Sequence, residues 1–456
     1  MTDFGAGRAA SGGAYAVAGA RGRTASASSR TSGGGAVGTG AFERTVLPNG
    51  LTVVTEHMPE VRSVALGYWI GVGSRDEPAP LQGSSHFLEH LLFKGTTTRT
   101  ARDIAEIFDG CGGEANAFSE KEYTCYYGRV LDKDLPMAAE VLSDMIQNSL
   151  IAPADIEAER NVILEELAMH EDTPEDLIHD FFAQTVFDDH PLGREIMGTV
   201  ETVRTIDQGA LKSFHARNYN SHNIVVAAAG NVEHDEVVRR VGDGFVEGKG
   251  RAVRSTVDPI TADRLRVLNR KTEGAHIVIG GLGYPSGHPM RFAWGVLDVL
   301  LGGGMSSRLF QEIREIRGLA YSVFSYRNLF METGTYGIYA GTAPGSAREV
   351  VDLIVKEMDQ MLDSGVSQAE LDHAKGHLRG AVVLALEDPA SRMTRLGKSE
   401  VVGGEILSID EIISRVDAVT MDDVATVAKD LLQPESRILT AIGPFDESEF
   451  EGWDTA

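Results

Sequence analysis

The order of elements repeats along this chain, and that repeat limits the fold more than any single motif does. Ala275-His276-Ile277-Val278-Ile279-Gly280 reads as a strand and residues 291–301 as a helix. Gly318-Leu319-Ala320-Tyr321-Ser322-Val323-Phe324-Ser325 then echoes residues 113–119, residues 346–362 echo 135–147, and 367–378 echo 153–164. Matched elements stay a little over two hundred residues apart throughout. A constant offset between whole sets of elements is the mark of a tandem duplication. The expected fold class is α+β: two homologous domains, each a mixed and mainly antiparallel sheet covered by helices. At 456 residues the chain is also too long for one ordinary domain. The expected division is a tail over 1–40, a first domain over 41–245, a linker over 246–259, a second domain over 260–446 and a short tail over 447–456.

The local pattern supports this division. Residues 1–40 are mostly Gly, Ala, Ser and Arg with a single acidic residue, Asp3, and such a segment cannot bury a core. Its makeup also fits a mitochondrial transit peptide, but the arginines are too sparse and the glycines too frequent for an amphipathic helix. Beyond it, residues 45–47 and 51–55 flank Pro48-Asn49-Gly50, which predicts a hairpin with a type I′ turn at Asn-Gly. Val64, Leu66, Tyr68, Ile70 and Val72 alternate as a strand does. Helices are expected over 100–108, 136–147, 153–170 and 176–187, and an antiparallel pair over 114–118 and 123–130. Around Gly248-Lys249-Gly250-Arg251 the pattern dissolves into an interdomain linker.

Bulk chemistry excludes several functions. A net charge of −25 argues against a nucleic-acid partner and against anionic membranes, and steers toward neutral or basic substrates. No apolar run reaches membrane-spanning length, and no hydrophobic segment follows the N-terminus as a secretory signal requires. The two cysteines, Cys111 and Cys125, read as reduced thiols. A cytoplasmic location is expected, with the mitochondrial matrix as the alternative.

The chemistry concentrates in residues 83–95. There His86-Phe87-Leu88-Glu89-His90 puts two imidazoles at i and i+4, on one face of a helix, where they can share a metal ion. Glu89 falls beside them. The order His-x-x-Glu-His is the inverzincin signature. A hydrolytic zinc site needs a third protein ligand and an open position for water. Glu159 and Glu166 are seven residues apart on one face of the 153–170 helix, while Glu165 points off it. Glu166 is the candidate ligand and Glu159 the candidate partner orienting a histidine. At the corresponding place the second copy reads Arg291-Phe292-Ala293-Trp294-Gly295, with no ligand set, so only the first half can be catalytic. His170 and His179 read as surface histidines, and Gly302-Gly303-Gly304 lacks the lysine of a phosphate loop.

These motifs, with Gly112-Gly113-Glu114-Ala115-Asn116-Ala117-Phe118, His190-Pro191-Leu192-Gly193, Ser307-Arg308-Leu309-Phe310 and Gly318-Leu319-Ala320-Tyr321, resemble in family order the insulinase/pitrilysin superfamily, peptidase family M16. The nearest branch is that of the mitochondrial processing peptidases. The resemblance implies one Zn²⁺ per chain on His86, His90 and Glu166, Glu89 as general base, and Arg314 with Tyr321 completing the site from the second half. It implies that Asn116 and Ala117 lie on an edge strand to which unfolded peptide adds. It also implies that Asp176 and Asp180 receive a substrate arginine, by a bidentate carboxylate–guanidinium contact. The expected activity is that of a zinc-dependent metalloendopeptidase acting on unfolded peptides or presequence-like segments. Such a chain would form one bowl-like half of a chamber and work as a homodimer, or as a heterodimer with a related M16 chain. Two alternatives are a processing-peptidase subunit dependent on its partner, and a scaffold subunit without catalysis.

Overall fold

The computed structural model describes residues 31–32, 42–242, 244–248, 250, 254 and 264–455. All of the expected tail over 1–40 but Thr31 and Ser32, and most of the expected linker, lie outside the described residues. A first sheet contains β1 (Thr31–Ser32), β2 (Phe42–Val46), β3 (Thr52–His57), β4 (Ser63–Ile70), β5 (Glu114–Ser119), β6 (Thr124–Leu131) and β7 (Ile224–Gly230), in the order β1-β2-β3-β7-β4-β6-β5. Its helices are α1 (Ser84–Leu91), α2 (Ala101–Cys111), α3 (Leu135–Asn148), α4 (Pro153–Glu171), α5 (Pro174–Phe187), α6 (Val200–Thr205), α7 (Gln208–Asn218) and α8 (His234–Val241).

The second sheet contains β8 (Leu265–Asn269), β9 (Ala275–Gly283), β10 (Ala320–Leu329), β11 (Gly334–Thr342) and β12 (Ile438–Gly443), in the order β10-β11-β9-β12-β8. With it go α9 (Arg291–Leu301), α10 (Ala347–Ser364), α11 (Gln368–Ala385), α12 (Pro389–Val401), α13 (Ile409–Asp417) and α14 (Met421–Leu431). Matching β3, β7, β4, β6 and β5 to β8, β12, β9, β11 and β10 reproduces the same strand order. It also reproduces the same parallel pair, β3 with β7 and β8 with β12, in otherwise antiparallel sheets. The chain is α+β, and the duplication extends to topology.

Both faces of each sheet are buried, and the second face is covered by the other half. On β4, Val64, Leu66, Tyr68 and Ile70 point into a core built with α1, α3 and α4. Ala65 and Trp69 point the other way, into a cluster with Met393, Leu396 and Val401, which α12 and thus the second half supplies. Gly397 of α12 lies so close to Trp69 that a Cβ there would meet the indole Nε1 at 2.0 Å. The reciprocal contact is made by α5, whose Ile178, Phe182 and Val186 pack on Val278 of β9 and on Ile438 and Ile442 of β12. Charge fastens α12 in place. Glu56 of β3, fully buried, pairs with Arg392 and Arg395, and Arg44 holds Glu400 at 2.8 Å.

Three local expectations are corrected. Gly50 has φ +90° but Asn49 does not take a positive φ, so the β2–β3 turn is not type I′. Pro48, at the first corner position of the Leu47–Gly50 turn, fixes its own φ near −65° and forbids that geometry. Of the expected tail over 447–456, the described residues 447–455 belong to the second domain, because Phe450 and Trp453 are buried in its core. His170 and His179 are not surface residues. His170 pairs with Asp180 at 3.1 Å, and His179 hydrogen-bonds with the Tyr326 hydroxyl at 3.1 Å among aromatic rings. Cys111 and Cys125 are free thiols, as expected.

Candidate metal centre

Helix α1 is short, and its N-terminus is fixed from outside. Gly83 takes φ +92°, and a Cβ there would strike the Met197 carbonyl oxygen at 2.5 Å. The buried Glu77 carboxylate accepts the Gly83 and Ser85 N–H groups at 2.7 and 2.6 Å, satisfying donors that a helix start leaves open. Burial pushes Glu77 up to about 8, against those two hydrogen bonds. Phe87, Leu88 and Leu91 of α1 go into the core, which leaves His86, Glu89 and His90 along the side that α4 and β5 flank.

Helix α4 brings the third group. The ligand-type atoms of His86, His90 and Glu166 all lie within 4.8 Å of one another. His86 Nε2 and His90 Nε2 stand 3.8 and 3.6 Å from a Glu166 oxygen. Glu159, two turns earlier on α4 and buried, accepts the His90 Nδ1–H at 2.9 Å and the Lys94 ammonium at 2.6 Å. That bond fixes the His90 tautomer, leaving a lone pair on the Nε2 that faces Glu166. Burial would raise Glu159, but its bonds to Lys94 and His90 outweigh this and hold it below the usual range.

The donor set fits a zinc ion. Burial, and then the neighbouring His90, bring His86 down to about 3, so it stays neutral and able to donate a lone pair. Burial, added to the charge of Glu159, pushes Glu166 up, as happens when a carboxylate lacks its cation. Burial also raises Glu89, whose Oε2 and the Nδ1 of His86 are buried without a hydrogen-bond partner in the described structure. Two imidazoles whose nitrogens face one carboxylate, with a second carboxyl group beside them that Ser119 bonds, make up the donor set a hydrolytic metal site requires.

The remaining expected residues are distributed as follows. Among the described residues β5 ends the first sheet, and α1 packs against it. Asn116 and Ala117 lie on β5, where the Asn116 amide oxygen accepts the Ala117 N–H at 2.8 Å. Asp180 joins His86, Glu89, Phe118, Ser119, Ile196 and Met197 around a cavity of about 310 Å³. Asp176, one turn earlier, is half-buried on the same helix. Arg314 sits in a π-helical stretch, Phe310–Ile316, of a kind frequent at functional sites. Its guanidinium donates to the Tyr321 carbonyl at 2.6 Å and covers the Tyr321 ring at 5.4 Å, while Tyr321 is 86% exposed. The two are brought together with each other, but the contacts recorded for them do not reach the histidine cluster. Sequence reasoning missed Glu77, Lys94 and Lys121. Lys94, four residues after His90, shares the helical face of the histidines, and that spacing was the available signal.

Comparison with known proteins bears on the family. Residues 52–200 match the model of the insulinase family (peptidase family M16), and residues 205–378 match that of the peptidase M16 inactive domain. A protein of Streptomyces coelicolor named an uncharacterised zinc protease is 47% identical over 90% of this chain and 92% of its own length. One of Bacillus subtilis with the same description is 39% identical over 88% of this chain and 98% of its own. Among solved structures, a Helicobacter pylori protease superposes with TM-score 0.81 at 22% identity, covering 88% of this chain and 99% of that one. An M16 inactive-domain protein of Pseudomonas fluorescens gives 0.83 at 20%, covering 89% and 98%. These two extend the likeness of fold alone. The duplicated architecture, the inverted histidine motif and relatives that align over nearly their whole length lead to one conclusion: the chain belongs to the insulinase family, peptidase family M16.

Proposed function

We propose that this chain is a zinc-dependent endopeptidase, with one zinc ion per chain held by His86, His90 and Glu166. The observation that carries the reading is the convergence of those three donors beside a buried carboxylic acid, Glu89. Zinc would supply Lewis acidity there, polarising the scissile carbonyl and lowering the pKa of water toward neutrality. Glu89 takes the proton of the attacking water and hands it to the leaving amine, a task that its raised pKa suits. Glu159 keeps the His90 ring oriented, and Lys94 keeps Glu159 anionic.

Substrate enters as an extended strand on the free edge of β5, a mode that reads main chain and requires an unfolded peptide. The Asn116 amide then gives up the Ala117 N–H to the peptide. Arg314 and Tyr321, from residues 260–446, supply a cation and a phenol for the developing oxyanion. Residues 41–245 carry the metal. The chain acts in the cytoplasm as one half of a chamber, dimerising with a copy of itself or with a related chain. The alternative of a subunit active only with its partner draws on one observation, that Arg314 and Tyr321 contact each other and not the cluster.

The test is metal content by mass spectrometry together with peptide cleavage by the purified chain alone. About one zinc per chain and cleavage are expected. Glu89→Gln should keep the zinc and lose about 10²–10⁴-fold in rate, the usual value of a general base. A zinc-loaded wild type that cuts only after a related chain is added would establish the alternative, and normal cleavage by Glu89→Gln would sink the mechanism.

A further inference from the structure

The cavity beside the cluster combines apolar walls with two carboxyl groups, Glu89 of the cluster and Asp180, and the second is already engaged. Phe118, Ile196 and Met197 supply the apolar lining. Lys121, from the turn between β5 and β6, reaches across to Asp180 at 3.7 Å while its ammonium also donates to the Arg194 carbonyl. His170, one turn beyond Glu166 on α4, takes the second oxygen of Asp180 at 3.1 Å. The Lys121 side chain is 12% exposed and the His170 side chain 17%, so neither is a loose surface charge. Burial would raise Asp180, but His170 and Lys121 more than reverse this, and Asp180 in turn raises His170. One basic side chain of this chain therefore faces each oxygen of the Asp180 carboxylate.

We propose that Lys121 acts as an internal substitute for a basic substrate side chain, so that this subsite rejects arginine and lysine and takes a bulky apolar residue next to the scissile bond. The inference rests on the peptidase reading and adds to it a substrate class. For an incoming guanidinium to bind Asp180 it would have to displace a buried ammonium, which would keep the Arg194 carbonyl and its attraction to Glu195. It would also have to approach that ammonium, a group of its own charge. An apolar side chain meets no such cost, and gains by burial against Phe118, Ile196 and Met197. Lys121 is thus a specificity-determining residue, on the hairpin whose first strand receives the substrate.

The experiment maps cleavage sites by mass spectrometry in a mixed peptide library, using zinc-loaded wild type, Lys121→Met, and the double variant Lys121→Met with Asp180→Asn. Wild type should enrich Leu, Ile, Met and Phe at one position beside the cut, with Arg and Lys no commoner there than in the library. Lys121→Met should raise Arg and Lys at that position about tenfold, the value of one freed charge-assisted pair, and the double variant should lose the gain. Lys121→Gln, whose amide can still donate to the Arg194 carbonyl, is read in the same way should the methionine variant melt early. Basic enrichment in the wild type, or no change in both Lys121 variants, overturns this inference and leaves the peptidase reading standing. No cleavage of any peptide by the wild type overturns the peptidase reading, and this inference with it.

Discussion

The two halves share one strand order and differ in what they place on it. Helix α4 packs on α1, and α11 packs on α9, in corresponding positions. Pro153 and Pro174 stand at a common offset from Gln368 and Pro389, which sets Ala374 and Ala381 against Glu159 and Glu166. Where the first half carries two imidazoles on α1, the second fills α9 with Phe292, Trp294 and Leu297, all buried. The difference teaches where function comes from. The scaffold accepts a cluster of buried ionisable groups in one copy and an apolar plug in the other, and only the cluster raises Glu89 and lowers His86. The cost is electrostatic: a carboxylate raised and an imidazole lowered by burial.

The largest effect is expected from separating the halves. Were they independent copies, a fragment of residues 42–245 would fold alone. It lacks α12, however, and so uncovers Trp69, Val54 and Ala65 on the outer face of its sheet. The expected outcome is the loss of any cooperative thermal transition by calorimetry, and recovery on adding residues 264–455 in trans would sharpen the comparison.

Acid should also tell the halves apart. His215 of α7 is buried against the Ile146 carbonyl and brought down to about 4, with His86 lower still. Unfolded histidine takes a proton near 6.5, so between pH 6.5 and 4 the unfolded chain binds more protons than the folded one. Stability is therefore complete above pH 6.5 and falls as pH drops through that window, by on the order of 3 kcal/mol for His215 alone. Hydrogen exchange of the metal-free protein at pH 5 should open α7 and α1 before α9 and α14. Equal opening of both sets would break the comparison.

A smaller effect is expected from making one position of the first copy resemble the second. Glu159→Ala, the residue at the matching place in α11, removes the acceptor of the His90 Nδ1–H. Zinc affinity, measured by competition with a chelator, should fall about 10–100-fold. An unchanged affinity would mean that the imidazole needs no support.

Much of this was legible in the sequence, and the physical reason is range. The metal cluster consists of i and i+4 positions on one helix and a seven-residue spacing on another, and helical geometry converts such spacings directly into faces. The repeat was legible because both copies keep their turn residues. What escaped notice depends on contacts between distant segments. Alternation in β4 correctly gave one buried face, but Ala65 and Trp69 are covered by α12, more than three hundred residues away, and no local pattern records that. His179 looked superficial because the rings enclosing it, Phe324, Tyr326 and Tyr339, belong to the second sheet. Lys121 was missed because its partners lie on α5 and beyond α5.

The exchange of α5 and α12 bears on how the protein can move. Each helix crosses to the sheet of the other half, so α12 on β4 and β7 and α5 on β9 and β12 staple the two halves together at both centres. At one edge of each sheet, among the described residues, stand β5 and β10, which bear Asn116 and Tyr321. If the chain grips a peptide as proposed, these two rims do so while the crossed helices staple its centre.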